Sequence, residues 1–241
     1  IVSSDGAVVG VSSTGSPQAL GTKVVFESAN TIYIAATFDS TNNKVVVAYC
    51  DAGNSSYGTA VVGTVSENSI SFGTPVVFES AATYHISATF DSTNGKVVIA
   101  YQDDANSDYG TAIVGTVSGT SISFGSATVF NSGATYYTSM GYDSTNGKVV
   151  IAYKDGLSPG YGNAIVGTVS GTSISFGSEA QFENSSISNS SVTFDSTNGK
   201  IVIAYRNDGN SDYGTAVVGT VSGTSISFGT PVVFESAAIA S

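Results

Sequence analysis

The sequence is poor in the side chains that most often carry chemistry. It has one cysteine (Cys50), one histidine (His85), one methionine and no tryptophan. A single cysteine excludes an intrachain disulfide and leaves the redox compartment open. Lysine and arginine number seven against eighteen aspartates and glutamates, a formal net charge of −11. Such a surface repels phosphate backbones and anionic headgroups, which argues against nucleic-acid and membrane partners. No apolar run approaches the roughly 18 residues of a transmembrane helix, so membrane insertion by a helix is not expected. Charged residues make up only 10% of the chain, which disfavours long solvent-facing helices. Ile1 is not a start methionine and no basic-then-apolar leader follows it. The expectation is a processed chain or a fragment, with any targeting signal outside the sequence.

What is abundant points one way. Ser, Thr, Asn and 28 glycines supply the polarity, and 41% hydrophobic residues allow a sizeable core. That composition suits short strands and tight turns.

The chain is internally repetitive. Phe90-Asp91-Ser92-Thr93-Asn94-Gly95-Lys96 recurs with minor changes from Phe38, Tyr142 and Phe194, at steps of 52 residues. Tyr57-Gly58 recurs at Tyr109, Tyr161 and Tyr213. Each unit reads as four strands. In the second, strand A covers about Ile86–Phe90, and Asn94-Gly95 predicts a type I′ hairpin. Strand B is Lys96–Tyr101, followed by a polar loop over Gln102–Asp108. Strand C is Tyr109–Val117. Strand D runs from Ser121 to Phe130 with a kink at its Gly-Ser step.

Apolar residues fall on both faces of these strands. Val97, Ile99 and Tyr101 point one way, Val98 and Ala100 the other; Ile113 and Val117 oppose Ala112 and Val114. A sheet apolar on both faces must be covered on both. The expectation is an all-β, single-domain β-propeller of four-stranded blades, each held between two neighbours. A solenoid of stacked sheets is the runner-up. Four full blades span 30–79, 80–131, 132–183 and 184–235. Ala7-Val8-Val9-Gly10 matches Ala60-Val61-Val62-Gly63, so residues 1–29 supply strands C and D of a fifth, closing blade. Residues 236–241 add a remnant that cannot complete it. A closed four-bladed ring with an N-terminal extension is the alternative. An incomplete blade leaves an open edge that invites homo-oligomers.

The order strand, Asp-Ser-Thr-Asn-Gly-Lys turn, strand ending in Ala-Tyr, polar loop and strand resembles the blade of sialidase-like propellers with BNR (Asp-box) repeats. There the C–D turn carries Ser-x-Asp-x-Gly-x-Thr-Trp. The matching stretch here is Ser118-Gly119-Thr120-Ser121-Ile122-Ser123-Phe124, without the Asp and with Phe for Trp. The near-identity of the units is also similar to repetitive propellers of microbial lectins and of phage or surface adhesins. The resemblance implies a propeller, a glycan or cell-surface ligand, and an extracellular, surface or virion-associated location.

In a propeller the B–C and D–A loops share one face, and this is where the units differ. Strand B is followed by Cys50, Gln102, Lys154 and Arg206, and then by Asp51, Asp103 and Asp155. The D–A column reads Tyr33, His85, Tyr137 and Asn189, beside Ile32, Tyr84, Tyr136 and Ser188. Tyr rings packing on sugar C–H faces, with amides and carboxylates bonding hydroxyls, make this a candidate carbohydrate surface. Drift in exposed loops, or tyrosines packed between blades, explains the same columns without a ligand.

Asp104, Asn106 and Asp108, and likewise Asp208, Asn210 and Asp212, set oxygens at alternate positions, a candidate Ca2+ pattern. The glycine lies one place later than in an EF-hand and no bidentate Glu follows. Asx-turn chemistry accounts for the same spacing. The repeated turn aspartates Asp39, Asp91, Asp143 and Asp195 read as structural. No catalytic residues are expected: Arg206 is the only arginine, against the three by which sialidases bind a carboxylate. The repeated carboxylates have near-equivalent settings, whereas glycosidase chemistry needs two set apart. The expected role is a multivalent, non-enzymatic binding module, with a structural spacer or assembly domain and a glycoside hydrolase as alternatives.

Overall fold

The computed structural model describes residues 23–157 and 159–239, an all-β architecture of antiparallel sheets. The first unit is β1 (Thr31–Asp39), β2 (Lys44–Asp51), β3 (Tyr57–Ser66) and β4 (Ser69–Phe72). The second is β5 (Val76–Asp91), β6 (Lys96–Asp103), β7 (Tyr109–Ser118) and β8 (Ser121–Phe124). The third is β9 (Thr128–Asp143), β10 (Lys148–Asp155), β11 (Gly162–Ser170) and β12 (Ser173–Phe176). Then come β13 (Ala180–Glu183), β14 (Ile187–Asp195), β15 (Lys200–Asn207), β16 (Tyr213–Ser222), β17 (Ser225–Phe228) and β18 (Val232–Ala238). One turn of 3-10 helix, Asp104–Asn106, is the sole helical element among the described residues.

Every unit repeats one pairing plan. In the second, β5 pairs with β6 from Thr83, β6 pairs with β7, and β7 pairs with both β8 and the start of β9. The expected loop between strand D and the next strand A is absent at two junctions. There β5 and β9 run unbroken for 16 residues, leaving one sheet and entering the next. Ser80-Ala81-Ala82-Thr83 in β5 contains none of the Gly, Pro or Asn residues that usually end a strand, whereas β9 stays unbroken through Asn131-Ser132-Gly133. At the third junction Asn184–Ser186 separates β13 from β14.

The A–B turn also differs from the type I′ expectation. Asp91 pairs with Lys96, leaving four residues between them, and only Gly95 has positive φ, 63°. Asp91 is the cause. Its Oδ1 accepts from the backbone N–H of Thr93 and Asn94, both at 3.0 Å, and its Oδ2 from Asn94 Nδ2 at 2.7 Å. Asp39, Asp143 and Asp195 make the same three bonds. Lys96 Nζ reaches across to Thr116 Oγ1 at 2.9 Å.

The two-sided strands pack as their pattern requires. Val97, Ile99, Tyr101, Ile113 and Val117 join the core between the first and second units. Val98, Ala100, Ala112 and Val114 join the core between the second and third. A third core joins Val150, Ala152 and Val166 to Ile201, Ile203 and Tyr205. An aromatic trio marks each interface. Phe78, on the part of β5 paired with the first sheet, lies 5.3 Å from Tyr101 and 5.7 Å from Phe124 of the second sheet. Phe130 and Phe182 repeat the arrangement, and Phe26 does so on Tyr49 and Phe72. The strand expected at Ala7–Gly10, and the last two residues of the chain, lie outside the described residues.

The end units are less covered. Ile34, Phe38 and Val65 are 54%, 53% and 53% exposed, whereas their counterparts Ile86, Phe90 and Val117 are 8%, 9% and 6%. Phe234 is 62% exposed, against 8% for Phe130.

The kink in strand D, expected at its Gly-Ser step, falls at Gly125–Ala127. Gly125 is needed there by the next sheet: a Cβ would lie 1.9 Å from the Thr172 carbonyl oxygen. Gly229 holds the same place in the last unit, and the nearest atom to its Cβ is Val218 O at 3.8 Å. Gly125→Ala is therefore expected to destabilise the fold by about 1–3 kcal/mol, the usual cost of overpacking. Gly229→Ala is expected to be close to neutral. Urea unfolding of both variants checks this, and equal losses would contradict the packing described.

Candidate functional site

In a regular strand, successive side chains alternate between faces. The first strand of each unit breaks that rule at one point. Tyr84 pairs with Gln102, and pairing resumes at Ser87 with Ala100, so one extra residue sits on β5. His85 fills this bulge with φ of 48°. Tyr33, Tyr137 and Asn189 fill the equivalent bulges, each with φ of 51°. None is glycine, and a left-handed conformation costs such residues about 1–3 kcal/mol each. Neighbouring units hold the strained backbone in place. Thr138 Oγ1 donates to the His85 carbonyl, and Ser190 Oγ donates to the Tyr137 carbonyl at 2.6 Å.

The bulges meet in one cavity of about 540 Å³, lined by Tyr33, Ile34, His85, Ile86, Tyr137, Thr138, Asn189 and Ser190. The His85 ring lies 4.9 Å from that of Tyr33 and 5.2 Å from that of Tyr137. Tyr84 packs edge-on against Tyr33 at 5.8 Å, and Tyr136 against His85 at 5.6 Å. The result is a band of five aromatic rings, with Asn189 and Ser190 on the remaining side.

Two columns that the sequence assigns to separate loops are cross-strand partners. Tyr84 pairs with Gln102, Tyr136 with Lys154 and Ser188 with Arg206. Lys154 stays close to the cavity, its Nζ 5.9 Å from the centre of the Tyr137 ring. Arg206 Nε donates to Asp208 Oδ1 at 2.8 Å, and Ser188 Oγ and Ser186 Oγ donate to the same carboxylate at 2.7 and 3.1 Å. Burial pushes the Asp208 carboxyl up, but these bonds outweigh it and hold it below the ordinary value.

Other expected site residues lie elsewhere. Gln102 and Asp103 are not in a loop: they end β6, are 4% and 9% exposed, and do not line the cavity. Asp155 is half-buried, and its Oδ1 accepts from the Leu157 N–H at 3.1 Å. Of the acidic loops, Asp104 and Asn106 are exposed and Asp108 adopts φ of 62°. Asp212 lies 3.7 Å from Arg206 Nε, and Asn210 is exposed. Among the described residues, no three His, Cys, Asp or Glu side chains converge as metal ligands. Ile34, Ile86, Thr138 and Ser190 were not legible as site residues. Each follows a bulge residue, and only the bulge turns both neighbours toward one cavity.

Burial in this aromatic setting lowers the His85 pKa below the ordinary histidine value. Folded His85 thus holds its proton more weakly than the unfolded chain does. The matching stability is complete above about pH 6.5 and is lost as pH falls through the folded pKa. An NMR titration of this single imidazole is expected to give a midpoint below about 6.5. A midpoint at or above that value would contradict the burial.

No protein-family model matches the chain, and no curated protein does.

Proposed function

We propose that the four units are blades of a sialidase-like β-propeller, and that the cavity where their first strands meet binds a carbohydrate. Two observations support the ring. Sheets stacked in a straight line lie ~10 Å apart, so equivalent residues would keep that spacing. Here equivalent rings come within 4.9 and 5.2 Å, and all four units reach one cavity. The approach of all four first strands to one cavity fits sheets arranged around an axis. A fifth, closing blade that takes in residues 1–29 is the arrangement we favour.

The observation that carries the carbohydrate reading is the lining of the cavity. Its volume of about 540 Å³ suits a ligand of one or two sugar rings. Tyr33, His85 and Tyr137 present aromatic surface, while Asn189, Ser190 and Thr138 present amide and hydroxyl groups. Stacking on C–H faces combined with bonding to hydroxyls is what a pyranose requires. The strain at each bulge residue, kept in four units, fits a site where side-chain direction matters more than local stability. Binding without turnover, by an extracellular or surface-borne module, is our reading.

A glycan array followed by calorimetry tests this. Tyr137→Ala is expected to weaken binding roughly tenfold, the loss of one aromatic contact. Tyr161, exposed and not among the residues lining the cavity, serves as the control, and Tyr161→Ala leaves affinity unchanged. No binding of any glycan at millimolar concentration defeats the proposal.

The exposed end faces favour a second reading, an assembly domain. Phe38 and Val65 at one end and Val218 and Phe234 at the other belong to surfaces that mate inside the chain. Light scattering across a concentration series is expected to show species above the monomer, reduced by Val218→Lys with Phe234→Ser. A monomer at all concentrations removes this reading.

A further inference from the structure

The interior of the chain shows what each end face packs against when it is covered. Between the third and fourth units, Val150, Ala152, Val166 and Phe182 share a core with Ile201, Ile203 and Tyr205 of strand B. Between the first and second, Ile86 and Phe90 of strand A share a core with Val46 and Ala48 of strand B and with Ala35 of strand A. At both interfaces a strand A–turn–strand B hairpin supplies much of the cover.

The end faces are open where those hairpins stand. On the fourth unit Val218 is 49% exposed, against 0% for its counterpart Val166. Phe234, the counterpart of Phe182, is exposed beside it. On the first unit the cover is uneven. Val47, Tyr49 and Val61 of strands B and C are buried and packed with Phe26, which takes the strand D place of a preceding unit. Ile34 and Phe38 of strand A are exposed, as is Val65 near the end of strand C. The first strands lie side by side in the order β1, β5, β9 and β14. Ala7-Val8-Val9-Gly10, outside the described residues, carries the sequence of strand C, with which strand B pairs in every unit.

We propose that the two open end faces form one cleft, and that this cleft docks a β-hairpin of the strand A–turn–strand B pattern supplied by another polypeptide. The inference rests on the ring arrangement favoured above, in which one further first strand stands between β14 and β1. The hairpin adds its strand B to the strand C sequence at Ala7–Gly10, the mode by which an extended segment completes a sheet edge. One of its faces, carrying residues like Ile201, Ile203 and Tyr205, meets Val218 and Phe234. The other, carrying residues like Val46 and Ala48, meets Ile34 and Phe38. A helix satisfies its own backbone and cannot extend a sheet edge. The hairpins of an intact second copy are already paired to their own strands C. The turn brings its own order, because Asp91 holds the Thr93 and Asn94 N–H groups through bonds local to the hairpin. Such preorganisation lowers the cost of docking.

The probe is a synthetic peptide copy of residues 83–101, the hairpin of the second unit. Titrated into the full chain, it is expected to bind one to one. At about a hundred times its Kd it is expected to raise the melting temperature by roughly 5–10 °C. Phe38→Ser and Val218→Lys, one on each end face, are each expected to weaken the peptide by roughly tenfold or more. Leu157→Ser, on an exposed loop, leaves its affinity unchanged. A peptide carrying Ile99→Ser and Tyr101→Ser is expected not to bind. The absence of any effect of the peptide at millimolar concentration overturns the proposal. So does sensitivity to only one of the two end-face substitutions, or the presence of oligomers that the peptide does not disperse. Spin labels at Phe38→Cys and Val218→Cys test the ring separately. With sheets ~10 Å apart, a cleft one blade wide holds the labels about 20 Å apart and a straight stack about 30 Å. The longer distance defeats the ring and the cleft together, and the shorter distance without a peptide effect defeats the docking alone.

Discussion

Strands that are greasy on both sides cannot end at one neighbour. Val97, Ile99 and Tyr101 face one core while Val98 and Ala100, alternating with them, face another. Each Val or Ile buried in this way contributes about 1.5–3 kcal/mol, so leaving either face in water is expensive. This constraint makes a single unit unviable and makes repetition the solution. It also explains the aromatic trios, in which a Phe from one unit fills the space beside the Tyr and Phe of the next. Glycine at the kink of strand D follows from the same closeness, because the next sheet's backbone occupies the place of a side chain. At the two ends of the described units Phe38 and Phe234 are exposed.

The same packing makes the bulges affordable. A left-handed Tyr or His is unfavourable in isolation, yet four such residues stand in register. The strand continues on both sides of each bulge, pinned to its partner by regular pairs above and below. Thr138 and Ser190 tie the bulge carbonyls to the following unit. A rigid frame thus holds a short row of side chains free to differ between units. Tyr, His, Tyr and Asn at one position, on nearly identical backbones, show how far that freedom extends.

Polar groups near the end of strand B show the opposite behaviour. Several of them exchange one satisfying partner for another: Asn207 with Glu183, Asn131 with Thr135, Arg206 with Asp208. The first and second units keep two acids there, Glu27 with Asp51 and Glu79 with Asp103. Comparison among units within one chain therefore works as a set of natural substitutions on a common scaffold.

Strand order, turn positions and the sidedness of strands B and C were legible in the sequence, because they depend on residue spacing and on local hydrogen bonds such as those of Asp91. So was the aromatic column, since Tyr33, His85, Tyr137 and Asn189 recur at the repeat step. The width of the turn was misread because Asp91, not the Asn-Gly step, sets its geometry. The unbroken run of β5 and β9 was hidden because the passage of a strand from one sheet to the next is set by its pairing partners on either side. Gln102 and Asp103 read as loop because polarity alone does not reveal that a neighbouring sheet covers them. The sequence by itself determined that the units are two-sided β-sheets in a fixed series, since alternation and turn chemistry are local. Only the tertiary structure decided that the bulge residues of four units meet in one cavity. That depends on an extra residue in each first strand and on the approach of separate sheets, and neither leaves a mark on local sequence.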